Sequence, residues 1–344
     1  MPGTAPGRLA LLARVVPMLA LALVTLLVLA RPQQTAAAPS ASTAGRVHAA
    51  AHRVLHPELH PRMVDPAAGG RGAALADVRS AHSTAYSVDL PGGPRGYVLH
   101  VPADLPVGPR PLVLVLAGLW TSAQAVERSS GFDAVADAHG AVVVYADGIK
   151  DSWNAGHCCG YAAAHDIDDR AALRGVVDAV ETQVDVDRRR VVIAGFSNGG
   201  MLAYRFACEQ ARGVAGIIVV SGALVTDGCA PAAPVAVVVS HGLSDHTVPD
   251  AGQTTSDLLH TFTPSVAQSV APFVAADTCT EPRIKRLPPY KVQIYRQCQA
   301  GVSVTVFRDD TLGHSWPGPT LGGRSFSDTA YSLLADRRSP TEFR

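Results

Sequence analysis

Ser197 stands in the run "RVVIAGFSNGGMLAYRF" (residues 190–206), flanked by Gly195 and Gly199. The run passes from an apolar, strand-like segment through three glycines into a helix-like pattern, and the serine sits on the joint. The segment "GFSNG" fits G-x-S-x-G. Between a strand and a helix, that pattern puts a serine on a sharp bend with its hydroxyl projecting from the edge of a sheet. Glycine neighbours tolerate the bend because they lack Cβ. A helix starting at Asn198 would aim its first amides at the same spot and favour negative charge there. Outside such a context the pattern is no more than a tight turn.

A serine hydroxyl is a poor nucleophile without a base and an acid that orients the base. On a sheet of this kind the chain order is serine, then Asp or Glu, then His. Asp245 in "SHGLSDHTVP" and His314 in "TLGHSWPG" follow that order, each just after a strand-like run. Both would therefore lie at the carboxyl edge, where open α/β sheets build their sites. Asp250 is the rival acid. His241 and His246 flank Asp245 and come too early for the base, while His157 and His165 precede the serine. Trp120, Trp153 and Trp316 read either as packing or as an aromatic wall for an acyl or phenolic group. Trp316, two residues from His314, is the leading wall candidate.

The elements that must hold these residues are legible as alternation. Strand-like runs fall at 97–102, 111–118, 141–148, 190–197, 216–222, 235–242 and 302–307. Several are unbroken Val/Ile/Leu stretches, as expected of parallel strands covered on both faces. The clearest helix has Leu173, Val176, Val177, Val180 and Val184 stepping by three and four. Asp166, Asp168 and Asp169 lie at its N-terminal end, where acidic side chains suit the helix dipole. Strand–helix alternation predicts one α/β domain over about residues 84–338, a mostly parallel sheet with helices on both faces.

Composition agrees with a large buried core. Hydrophobic residues make up 47% of the 344 and charged ones 17%, against roughly 25% charged in an average soluble domain. The formal net charge is zero, which points to no nucleic-acid partner. Arg8 and Arg14 precede an apolar run at 15–30 that is shorter than the roughly 20 residues of a spanning helix. With the small residues after it, this reads as a signal peptide over 1–38. Its cleavage site is left open because Pro39 follows the best match. An uncleaved anchor is the alternative, and no other membrane association is expected. Residues 39–83, rich in Ala, Pro, Gly, His and Arg, read as a linker or loosely ordered lead-in.

Six cysteines in an exported, extracellular chain imply three disulfides. Zinc-ligand spacings are missing, so neither metal nor cofactor is expected. Adjacent Cys158 and Cys159 are not expected to pair with each other, since that ring is strained.

With these residues in place, the chain resembles the secreted esterases of the polyhydroxybutyrate depolymerase and feruloyl/acetylxylan esterase group, within the α/β-hydrolase superfamily. The resemblance runs through "PLVLVLAG", "FDAVADAHGAVVVYADG", "SWNAGHCCG", "DIDDRAALRGVVDAV", "VVIAGFSNGGMLAYRFAC", "HGLSDHTVP" and "GHSWPG", in that order. It implies an α/β-hydrolase fold and a serine esterase with Ser197, Asp245 and His314 as triad. The backbone amides of Leu119 and Asn198 would form the oxyanion hole. It also implies a Cys279–Cys298 disulfide, with Cys158 and Cys159 tied to Cys208 and Cys229. The substrate would be a small or oligomeric ester. One departure stands out: the family's His-Gly pair is here Ala117-Gly118, which bears on how the loop at Leu119 is held. Acyl transfer to an alcohol is the alternative activity, and an exported binding protein on the same scaffold is the alternative outside enzymes.

Overall fold

In the computed structural model, residues 62–63, 83–105, 107–253, 259–318, 322–338 and 341–343 are described. The segments read as signal peptide, and most of the lead-in, lie outside them. The elements in chain order begin with β1 (Arg62–Met63), β2 (Ser83–Leu90), β3 (Gly93–His100) and β4 (Arg110–Leu116). Then come α1 (Ala123–Ser130), α2 (Phe132–His139), β5 (Val142–Ala146), α3 (Gly160–Ala164) and α4 (Asp169–Glu181). They are followed by β6 (Val186–Phe196), α5 (Asn198–Gln210), β7 (Gly216–Val220) and β8 (Ala236–Gly242). The last are α6 (Val266–Ala276), β9 (Arg283–Leu287), β10 (Tyr290–Tyr295), β11 (Val304–Asp309) and α7 (Phe326–Ser332).

The strands form one sheet in the order β1-β2-β3-β5-β4-β6-β7-β8-β11-β10-β9. Its centre, β5-β4-β6-β7-β8-β11, is parallel. Both margins are antiparallel. Every residue of β5, β7 and β8 is buried, which is why these strands are continuous apolar runs and do not alternate. On β4 the pleat sends Leu112, Leu114 and Leu116 into one core with α4, α5 and α6. Val113 and Val115 go to the other face, against α1, α2 and α7. The sheet is thus covered by helices on both sides, as expected.

Side chains cap the starts of α1, α4, α6 and α7. Asp168 caps α4 by accepting from the Ala171 amide at 3.0 Å. Ser265 and Gln268 form a capping box on α6. The residues expected in the lead-in supply β1 and the first residue of β2, so the ordered sheet begins upstream of residue 84. Strands β2, β9 and β10 had not been anticipated.

Candidate active site

The connections after β4, β5, β6, β8 and β11 leave the same edge of the sheet, and the functional candidates sit on them. Ser197 occupies the turn from β6 to α5 with φ 52° and ψ −120°. That is left-handed space, which a non-glycine residue adopts only when its surroundings impose it. The surroundings do impose it. A Cβ on Gly195 would collide with the Gly199 carbonyl, and one on Gly199 would lie 2.5 Å from the carbonyl oxygens of Leu116 and Ala117. The Ser197 amide donates to Val220 O at 2.8 Å, locking the turn to β7.

His314 lies in the loop after β11 and Asp245 in the loop after β8. The hydrogen bonds between these side chains run in series: Ser197 Oγ to His314 Nε2 at 2.9 Å, and His314 Nδ1 to Asp245 Oδ2 at 2.8 Å. Ser197 and Asp245 are buried, while the His314 side chain keeps 21% of its exposure. The other Asp245 oxygen accepts from the amides of Thr247 and Val248, both at 2.9 Å. Burial works against ionising Asp245, but the His314 hydrogen bond and the Val248 amide outweigh it. Its pKa lies below the usual aspartate value. A carboxylate so held fixes the imidazole tautomer, with the proton on Nδ1 and the Nε2 lone pair facing the serine. The Phe196 ring packs at 4.9 Å from the imidazole.

None of the rival residues is hydrogen-bonded to Ser197 among the described residues, although His241 Nε2 lies 3.6 Å from Asp245 Oδ2. Asp250 pairs with Arg308 at 2.7 Å. Buried His241 donates from Nε2 to Val248 O at 2.6 Å, and desolvation lowers its pKa, so it remains neutral. His157 pairs with Asp227, His165 stacks on Tyr161, and His246 is exposed.

Asn198 follows the serine in the chain, and Leu119 follows Gly118, where an added Cβ would lie 3.4 Å from Ser197 Cβ. Asn198 opens α5, so its amide has no intrahelical acceptor. The Leu119 amide has no acceptor among the described residues, whereas its neighbours are used. Trp120 N donates to Asp151 O at 2.8 Å and Thr121 N to Gly118 O at 3.2 Å. Two free amides beside a nucleophile are what a developing oxyanion requires.

The tryptophans divide. Trp120 is 66% exposed on the loop after β4 and remains a candidate substrate wall. Trp153 does not: its side chain is fully buried in the core, with Nε1 bonded to Ala117 O. Trp316 is buried too, edge-on to Phe132 and bonded to Ser327 Oγ at 3.0 Å. Proximity to His314 in sequence misled the expectation, because the chain turns the ring back towards α2 and α7.

The disulfides also need correction. Cys279 pairs with Cys298 as the resemblance implied, but Cys208 pairs with Cys229, and Cys158 pairs with Cys159. Cys208 at the end of α5 lies 5.0 Å (Cα–Cα) from Cys229, within bridging range. That leaves the adjacent cysteines, joined by a cis peptide, to each other. Two features went unread in the sequence. The amides that hold Asp245 form an Asx turn that "DHTV" does signal. The bonds of Trp153 and Asn198 carry no such signal.

Residues 167–281 match the family profile described as Phospholipase/Carboxylesterase. The chain is similar to the putative esterase NocK of Nocardia uniformis subsp. tsuyamanensis, 31% identical over 291 residues. That match covers 75% of this chain and 84% of the relative. It is also similar to Feruloyl esterase B of Piromyces equi, 26% identical over 217 residues, which are 60% of this chain and 39% of that protein. Among solved structures, the acetyl xylan esterase from Aspergillus awamori superposes with TM-score 0.50 at 12% identity, covering 70% of this chain and 93% of that one. Native sOPH superposes with TM-score 0.52 at 17% identity, covering 79% and 93%. At such identities the structural likeness speaks for the fold alone.

Proposed function

Starting from the fact that the chain belongs to the α/β-hydrolase esterase family and is a carboxylic ester hydrolase, we propose that Ser197, His314 and Asp245 are its catalytic triad. The observation that supports this most is the unbroken hydrogen-bond series from Ser197 Oγ to Asp245, at the N-terminus of α5. Ser197 Oγ attacks the ester carbonyl as His314 Nε2 takes its proton. The carbonyl oxygen gains negative charge and is held by the Leu119 and Asn198 amides. The imidazolium is stabilised by Asp245 and gives its proton to the leaving alcohol. Water then enters and attacks the acyl carbon as it loses a proton to His314 Nε2, and the imidazolium returns that proton to Ser197 Oγ as the bond to the serine breaks and the acid leaves.

The substrate class we favour is an ester with a short acyl, hydroxyalkanoate or hydroxycinnamoyl group, acted on outside the cell. Its support is the esterase relatives, the disulfides and the export-like N-terminus. The test is a panel of p-nitrophenyl and hydroxycinnamoyl esters with and without an added alcohol, followed by product. Free acid as the main product in both arms is expected. Predominant transesterified product would make the chain an acyltransferase, and no turnover of any ester would overturn the reading.

A further inference from the structure

The first two residues of the oxyanion loop offer no polar side chain to hold it in place. Ala117 carries no polar group and Gly118 carries no side chain. Yet the loop lies against the nucleophile: a Cβ built on Gly118 would stand 3.4 Å from Ser197 Cβ. The loop's carbonyls and amides show what holds it. Ala117 O accepts from Trp153 Nε1 at 2.9 Å. Trp120 N donates to Asp151 O, two residues before that tryptophan. Gly118 O accepts from Thr121 Oγ1 at 2.9 Å, an internal closure of the turn.

Trp153 is joined in turn to the other side of the site. Its backbone amide donates to Asn198 Oδ1 at 2.8 Å, and its carbonyl accepts from Asn198 Nδ2 at 3.0 Å. Asn198 is the first residue of α5 and directly follows the serine. One buried residue therefore links the Ala117 carbonyl to the Asn198 side chain, and so links both halves of the oxyanion hole. The same carbonyl of Trp153 accepts from Cys159 N at 3.0 Å, and the next residue, Asn154, donates from its amide to Asp169 Oδ2 at 2.6 Å. These contacts fix the tryptophan to the elements behind it.

We propose that Trp153 is a positioning residue that sets the spacing of the Leu119 and Asn198 amides through its indole N–H and its paired bonds to Asn198. The proposal rests on the triad reading above. Trp153 touches no substrate. The indole N–H is the one donor to Ala117 O among the described residues, so without it the loop can drift away from the oxyanion. A displacement of about 1 Å in a catalytic group can cost up to about 100-fold in rate. Losing an oxyanion donor outright costs about 100- to 1,000-fold.

The test is Trp153→Phe, which keeps a ring in the core and removes the donor. A second protein would carry the benzothienyl analogue of tryptophan at this position alone, with sulfur in place of N–H and nearly the same shape. It covers the case in which the phenylalanine variant does not fold. Turnover is expressed per active site, titrated by the acyl-enzyme burst, so misfolded protein does not count. The expected result is a fall in kcat of about 10-fold or more, with KM within about 2-fold. The inhibition constant of a boronic acid transition-state analogue should rise in step with the loss in kcat/KM, and the pH–rate profile should keep its shape. Unchanged kcat per titrated site in both proteins would overturn the proposal, as would a loss confined to KM. Neither result touches the triad. That reading fails instead if wild-type protein shows no burst and no Ser197-dependent turnover.

Discussion

Asp245 and Asp250 are neighbours on one loop, and their partners separate their roles. Asp245 takes two amides and His314, whereas Asp250 takes the largely buried Arg308. Asp245→Asn is expected to lower kcat by about 10,000-fold, because the wrong imidazole tautomer is then favoured. Asp250→Asn should stay within a few-fold, and steady-state kinetics of the two variants decides between them. Asp147 behaves differently. Burial pushes its carboxyl up to about 6, against the hydrogen bond it accepts from Ala123 N at 2.5 Å. A raised folded-state value means that its favourable contribution is complete below about pH 4 and is lost as pH rises through about 6. Asp147→Asn, which can still accept from Ala123, should therefore gain thermal stability over wild type between those pH values and hold the gain above them. A constant difference in Tm from pH 4 to 8 would contradict this. Of the site, the serine was legible from its glycines, and the acid and base from chain order and the strands before them. Trp153 was not, because no spacing in the sequence says whether a tryptophan near a strand end turns inward to a carbonyl or outward to substrate.

At the scale of elements, the parallel centre of the sheet was legible because burial on both faces leaves it no choice but unbroken apolar runs. The margins were not. Strand β9, "RIKRL", is exposed at every position and reads as a charged loop. Edge strands carry Lys and Arg because such residues discourage pairing with another chain. Strand β2, "STAYSVDL", is half-exposed and mixes polar with apolar residues, so only its partner β3 showed the expected character. The join between this margin and the site region is a buried ion pair. Arg95 on β3 meets Asp169 on α4 at 3.0 Å, and Asp169 also accepts from the Asn154 amide beside Trp153. Removing one partner of such a pair leaves an uncompensated buried charge, at a cost of about 3–5 kcal/mol. Arg95→Met should lose about that much in urea unfolding at neutral pH. A loss below about 1 kcal/mol would mean that Asp169 is satisfied by the backbone alone.

For the molecule as a whole, the distribution of apolar surface bears on what kind of ester it can attack. Among the described residues the large exposed apolar side chains are Val107, Trp120, Leu243, Phe262, Ile284, Leu287 and Leu333, and just two of these are aromatic. Ile284 and Leu287 share β9, while the two aromatics, Trp120 and Phe262, lie on different connections, so no broad aromatic platform for adsorption to a solid is assembled among the described residues. Soluble hydroxybutyrate oligomers should be cleaved well and crystalline polyester film poorly. Efficient weight loss of a film, with depletion of protein from solution, would contradict that. The proposed ester chemistry depends on one atom, Ser197 Oγ, becoming the acyl carrier. The most direct measurement is peptide mass mapping after reaction with a fluorophosphonate, done in parallel with ester turnover on wild type and Ser197→Ala. The expected result is a single adduct on the peptide that contains Ser197, stoichiometric with lost activity, and neither label nor turnover in the variant. An adduct on another residue, or hydrolysis surviving in Ser197→Ala, would contradict the mechanism.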